Sequence, residues 1–191
     1  MLKFSPENNI KPEKGKLLLA EPFLDDPYFK RTVIYLCEHN EEGSFGFVLN
    51  NYIDMSIDQI MADMPKVETK VSVGGPVQNT NLYYIHTLGE RVKDSIHVDG
   101  NIYMGGDFED LKTLALSGKL TRNDIRFFVG YSGWSPGQLK DELELKSWFV
   151  ANGAEKAIMN SHVEDLWGVL VKDLGNEYSH LANLPKDPNL N

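Results

Sequence analysis

The chain has 191 residues, with 19 Lys and Arg against 28 Asp and Glu, a formal net charge of −9 and a pI near 5.0. That balance argues against direct binding to nucleic acid or to an anionic membrane surface, both of which recruit Lys and Arg. Hydrophobic residues make up 41% and charged residues 25%, the composition of a soluble globular domain with room for a real core.

No basic cluster breaks the acidic average: the densest stretch, Lys11 to Lys16, is interrupted by Glu13. The one cysteine, Cys37, excludes an intramolecular disulfide. It follows the apolar run Val33-Ile34-Tyr35-Leu36, which predicts a buried small hydrophobe and not a reactive thiol. Met1 to Glu7 lacks the apolar stretch of a signal peptide, and no segment approaches membrane-spanning length. The expected compartment is the cytoplasm.

Residues 1–14 are polar, carry Pro6 and Pro12, and predict a flexible arm. Residues 15–184 predict a single domain, and the Pro/Asn-rich segment 185–191 a frayed tail. Lys16 to Ala20 reads as the first strand, Asp25-Asp26-Pro27 as a turn, and Arg31 to Glu38 and Phe45 to Leu49 as an antiparallel hairpin across Asn40-Glu41-Glu42-Gly43. Ser56-Ile57-Asp58-Gln59 fits a capping box for a short helix that Pro65 would end. Lys70 to Val73 and Leu82 to Leu88 read as strands, with Asn79-Thr80-Asn81 turning the chain between them. Ser95 to Val98 and Ile102 to Met104 flank the hairpin signal Asp99-Gly100-Asn101. Asp107 then caps a helix that Gly118 ends.

Ile125 to Val129 is a short run read as a buried strand, leading into Gly130-Tyr131-Ser132-Gly133-Trp134, a sharp corner. Ser135-Pro136-Gly137-Gln138 predicts a helix start with Ser135 at N-cap and Pro136 at N1. Trp148 to Ala151 is a last strand, and Ser161 is placed to cap a helix holding Leu166, Trp167, Leu170 and Val171, with Gly175 beyond it. Strands outnumber helices without strict alternation, so the fold class is α+β.

The stretch G-Y-S-G-W-S-P-G-Q-L-x-x-E-L at Gly130 to Leu143, followed by Trp148, resembles the signature of the YqgE/AlgH family of bacterial proteins. Gly15 to Pro22, Asp26 to Val33, Gly46-Phe47-Val48-Leu49-Asn50, Gly74-Gly75-Pro76-Val77, Trp167 and Gly175 resemble its other blocks in order. Ser132 departs from the pattern, standing where Ala is common. The resemblance implies a strongly bent, largely antiparallel sheet, partly barrel-like and flanked by helices. It implies a binding or regulatory role under a transcriptional-regulator label, with no established activity.

The chemistry in the sequence is sparse. Gly130-Tyr131-Ser132-Gly133-Trp134 partly matches the nucleophile elbow, but Trp replaces the final Gly. The order-compatible partners, Glu164 or Asp165 with His180, place the base near the C-terminus, so the corner is expected to be structural and no catalytic residue is assigned. None of the five histidines makes a zinc-type spacing, and His86 and His97 are expected to be hydrogen-bonded sheet residues, so no metal and no cofactor is expected. Gly105-Gly106-Asp107 opens a helix, yet Asp107 would occupy the anion position and no Walker lysine follows.

The candidate binding residues are Arg31, Asn50, Tyr131, Trp134, Gln138 and Glu142, with core packing favoured for the aromatics. The leading reading is a cytoplasmic binding or regulatory protein without catalysis, its partner an unknown protein or small molecule. The alternatives are a regulator acting on DNA directly or through a protein partner, and a small-molecule enzyme with its site at the Gly130 to Gln138 corner.

Overall fold

The computed structural model describes residues 9–185, so positions 1–8 of the expected arm and 186–191 of the expected tail lie outside the described residues. Among these described residues nine strands and six α-helices follow in chain order. They are β1 (Leu17–Ala20), β2 (Val33–Asn40), β3 (Gly43–Val48), α1 (Ile57–Ile60), β4 (Val71–Val73), β5 (Val77–His86), β6 (Ile96–Asp99), β7 (Ile102–Met104), α2 (Phe108–Leu116), β8 (Ile125–Trp134), α3 (Gln138–Glu144), β9 (Trp148–Ala151), α4 (Glu155–Met159), α5 (Leu166–Asp173) and α6 (Ser179–Ala182).

All strands join one sheet of order β6-β7-β5-β8-β3-β2-β1-β9, antiparallel throughout that path, with β4 pairing parallel to β8. The sheet is not closed, but it curls until its ends meet through side chains. Asp99 at the β6–β7 tip stands against Gly15, and Asn101 Nδ2 donates to Glu155 Oε2 at 3.1 Å. This is the bent, partly barrel-like α+β architecture that the resemblance implies.

Both faces of the sheet are covered, which explains why β1 and β2 read as unbroken apolar runs and not as alternating ones. Leu17, Leu19, Val33, Tyr35 and Cys37 face Trp167, Leu170 and Val171 of α5. Leu18, Ala20, Ile34 and Leu36 face the other way, toward Trp134, Leu139 and Trp148, where Ile10 of the arm also packs. A third cluster gathers Ile57, Leu111, Ile125 and Phe127 under α1 and α2.

Several local expectations give way to tertiary pairing. Asn79-Thr80-Asn81 does not end a strand: it lies within β5 as a bulge, the register against β8 shifting between Val77 and Leu82, with Gln78 at φ 46. The corner lies later than expected, because β8 continues to Trp134 and pairs Ser132, Gly133 and Trp134 with β3. The helix that follows takes Gly137, at φ 80, as its N-cap, and Ser135 contributes backbone groups alone, its N–H donating to Gln138 Oε1 and its C=O accepting from Gln138 N, both at 3.0 Å. Helix α5 is capped by Asp165, whose Oδ1 accepts from Gly168 N at 3.0 Å, while Ser161 is buried and accepts from Lys70 N at 3.1 Å. Helix α1 ends at Ile60, well before Pro65. The hairpin at Asp99-Gly100, the Asp107 cap and the strand before Asn152-Gly153 fall where the sequence predicts them.

Candidate functional site

The glycine-rich stretch is a site of backbone contact. Gly130 has φ +70, and a Cβ there would lie 2.6 Å from Gly75 O. Gly75 returns the constraint, since its Cβ would lie 2.2 Å from Tyr131 O. The two glycine motifs are therefore halves of one crossing, and neither cradles a ligand.

Ser132 is buried there and its Oγ donates to Gly74 O at 3.0 Å, so it is not presented to a substrate. Gly74 O also accepts from Val48 N at 2.9 Å and would keep that bond without the hydroxyl. Ser132→Ala is therefore expected to cost only about 0.5–1.5 kcal/mol. Denaturant melts check this, and a loss beyond that range would mean the hydroxyl does more than bond one carbonyl.

Of the six candidate residues, Trp134, Gln138 and Glu142 form one network. Glu142 Oε2 accepts from both Trp134 Nε1 and Trp148 Nε1 at 2.8 Å, and its Oε1 accepts from Gln138 Nε2 at 3.0 Å. The indoles meet edge to face with centroids 6.1 Å apart, Trp134 only 6% exposed. The carboxylate is thus engaged by protein donors and braces α3 against β8 and β9. Tyr131 stands apart from this network, against Phe45 and Tyr83.

Arg31 and Asn50 form a second centre. Arg31 sits at φ 52, in the left-handed region, where a non-glycine residue costs roughly 1–3 kcal/mol. Asn50 holds it there: Val33 N donates to Asn50 Oδ1 at 2.9 Å, and Asn50 Nδ2 donates to Arg31 O at 2.9 Å. The guanidinium lies 4.7 Å above the Trp167 ring, and its Nη2 donates to Leu184 O at 2.5 Å and Pro185 O at 3.0 Å. Partial burial draws the Arg31 pKa down, and the Asp165 carboxylate partly restores it.

Around this side chain opens a cleft of about 310 Å³, lined by Lys30, Arg31, Asn50, Asn51, Glu164 and Asp165, with Pro27, Tyr28, Thr32 and Tyr52 completing it. Two cations and two carboxylates share it without a salt bridge between them. Arg31 and Asn50 thus come together away from the corner, and sequence reading did not join them to Lys30, Asn51 or the carboxylates. The segments lie more than a hundred residues apart, so no local spacing could signal the cleft.

Three other reactive groups are accounted for. Cys37 is fully buried, which pushes its thiol pKa well up and leaves it inert. His39 Nδ1 and Ser44 Oγ stand 2.7 Å apart across the β2–β3 hairpin, but among the described residues no carboxylate orients the ring's other nitrogen. His86 is fully buried: Leu88 N donates to its Nδ1 at 3.2 Å, so Nε2 carries the proton and faces Gly105 O at 3.0 Å.

Burial, opposed by the Gly105 bond and aided by Arg91, lowers the His86 pKa below its ordinary 6.5. Its folded pKa being depressed, the unfolded chain takes up the proton first as pH falls. Stability is therefore expected to decline from about pH 6.5 downward until the folded-state pKa is passed. Melts between pH 7.5 and 5 on the parent and His86→Gln check this; parallel curves would contradict it.

Among the described residues no group of three or more His, Cys, Asp or Glu is placed to hold a metal ion, and no helix is long and apolar enough to cross a membrane.

An open, curled, largely antiparallel sheet covered on both faces by helices, with two separate polar centres, defines the class as a one-sheet α+β protein. The chain belongs to the AlgH-like family, whose profile, DUF179, matches residues 17–179. A UPF0301 protein of Cytophaga hutchinsonii is 40% identical over 93% of this chain and 98% of its own length. One of Parabacteroides distasonis is 39% identical over 96% and 94%. Among solved structures, a crystal structure of a Corynebacterium diphtheriae protein superposes with TM-score 0.79 at 25% identity, covering 94% of this chain and 95% of that one. The solution structure of AlgH from Pseudomonas aeruginosa shares the fold, with TM-score 0.71 at 24% identity over 94% and 98%.

Proposed function

We propose that the protein is a cytoplasmic binding protein without catalysis, and that its ligand is a small molecule held in the cleft at Arg31. The observation behind this reading is the arginine held by Asn50 in a costly left-handed conformation beside charges that do not pair with one another. Strain kept in place by a dedicated side chain is characteristic of positions that present a group to a ligand. The corner, in contrast, has its polar groups engaged internally. The test is native mass spectrometry after incubation with a low-molecular-weight bacterial extract. A small-molecule adduct is expected on the parent and not on Arg31→Gln; equal adducts on both would defeat the reading.

A regulatory role exercised on DNA directly draws no support from the chain's charge. With a net charge of −9 and no basic segment, the protein alone is expected to show no sequence-selective duplex binding at micromolar concentration. Salt-sensitive, sequence-dependent retardation of duplex DNA at that concentration would contradict this.

A further inference from the structure

We infer that the cleft takes a small zwitterion of the amino-acid class, its carboxylate engaging Lys30 and Arg31 and its ammonium engaging Glu164 and Asp165; this rests on the cleft being the binding site. Lys30 and Arg31 leave the loop before β2, and Glu164 and Asp165 stand just ahead of α5, all lining the same small space. Arg31 and Asp165 interact electrostatically, yet no salt bridge closes between the two pairs. Among the described residues the side chains of Lys30, Asn51 and Glu164 have no hydrogen-bond or ion-pair partner. Opposite charges held near one another but unjoined are what a molecule bearing both signs can bridge.

The alternatives fit less well. A polyanion such as a nucleotide would meet Glu164, Asp165 and a chain of net charge −9. A polyamine would meet Lys30 and Arg31. At about 310 Å³ the cleft lies at the small end of ligand sites, suiting a single amino acid and excluding a dinucleotide. Arg31 Nη2 is engaged only by the neutral carbonyls of Leu184 and Pro185, and a carboxylate is the stronger acceptor for a guanidinium. Pro27, Tyr28 and Tyr52 supply apolar wall for a side chain.

The test is a thermal-shift screen of the common free amino acids on the full chain, followed by calorimetric titration of the best one. Its amide, its N-acetyl derivative and inorganic phosphate are titrated beside it. At least one free amino acid should bind saturably, and capping either end should weaken it about tenfold or more, the loss expected for one charged hydrogen bond. Glu164→Gln, at an exposed position, should weaken the free amino acid and leave its N-acetyl derivative unchanged. If no free amino acid binds, or if a capped derivative or phosphate binds as tightly, the zwitterion is wrong. In the latter case the site itself stands, provided the binding is lost in Arg31→Gln.

Discussion

Arg126→Ala is expected to lose roughly 3–5 kcal/mol of folding stability. The side chain is fully buried inside β8. Its Nη1 donates to Ile158 O at 2.8 Å and its Nη2 to Leu49 O, with Ser72 Oγ 3.4 Å away. It therefore ties the exit of β3 and the strand β4 to the end of α4. Tyr52 and Phe128 flank the guanidinium at 5.8 and 5.6 Å. The Tyr52 ring supports the charge only through its face, since its phenol oxygen meets no hydrogen-bond geometry. Burial draws the Arg126 pKa down, and among the described residues no carboxylate offsets the desolvation.

Truncation would strip Ile158 O of its side-chain donor, at about 1–3 kcal/mol, and leave a cavity costing about 2–4 kcal/mol more. Leu49 O would keep its bond from Ser72 Oγ at 3.0 Å. Release of the buried charge offsets part of the sum. Arg126→Met fills most of the space and should recover about half the loss. Urea melts of the two variants separate packing from hydrogen bonding; a Met variant as stable as the parent would mean the guanidinium contributes nothing net.

Trp134→Ala is expected to cost about 3–5 kcal/mol as well, by emptying a large aromatic site between β8, α3 and β9. The shared carboxylate makes a second arm of this test. Glu142→Ala leaves two indole N–H groups without their acceptor and should cost about 2–4 kcal/mol, although no aromatic surface is lost. The two losses should not add in the double variant, because one of the orphaned indoles is then gone. If Trp134→Ala melts like the parent but abolishes ligand binding, the corner is a recognition surface and the two centres exchange roles.

These two residues mark what the sequence discloses and what it hides. Trp134 sits in a motif of glycines and aromatics whose structural character is legible, because only backbone crossing demands that many small residues. Arg126 is hidden inside Ile125 to Val129, a run that reads as a buried strand, although a lone charge in a buried strand is itself a signal that some set of carbonyls must satisfy it. The strands of the curled sheet were legible wherever apolar content or a hairpin signal such as Asp99-Gly100 decided the matter. They were not where composition and pairing disagreed: Asn79 to Asn81 carry turn residues, yet they stay inside β5 as a bulge between the residues that pair with β8. Of the proposed cleft, Arg31 and Asn50 are among the sequence-derived candidates. Its Glu164 and Asp165 are considered only as a catalytic acid, since their neighbourhood to Arg31 is created by the docking of α5 under β1 and β2 and not by anything in either segment.

The measurement that bears most directly on this division of roles is an amide chemical-shift map of the isotope-labelled chain, titrated with the small-molecule extract and then with the best amino acid. Shifts are expected to concentrate at residues 27–32, 50–52 and 164–165, saturating together, with residues 131–138 silent. Shifts centred on residues 131–138, with the Arg31 cleft unmoved, would contradict it.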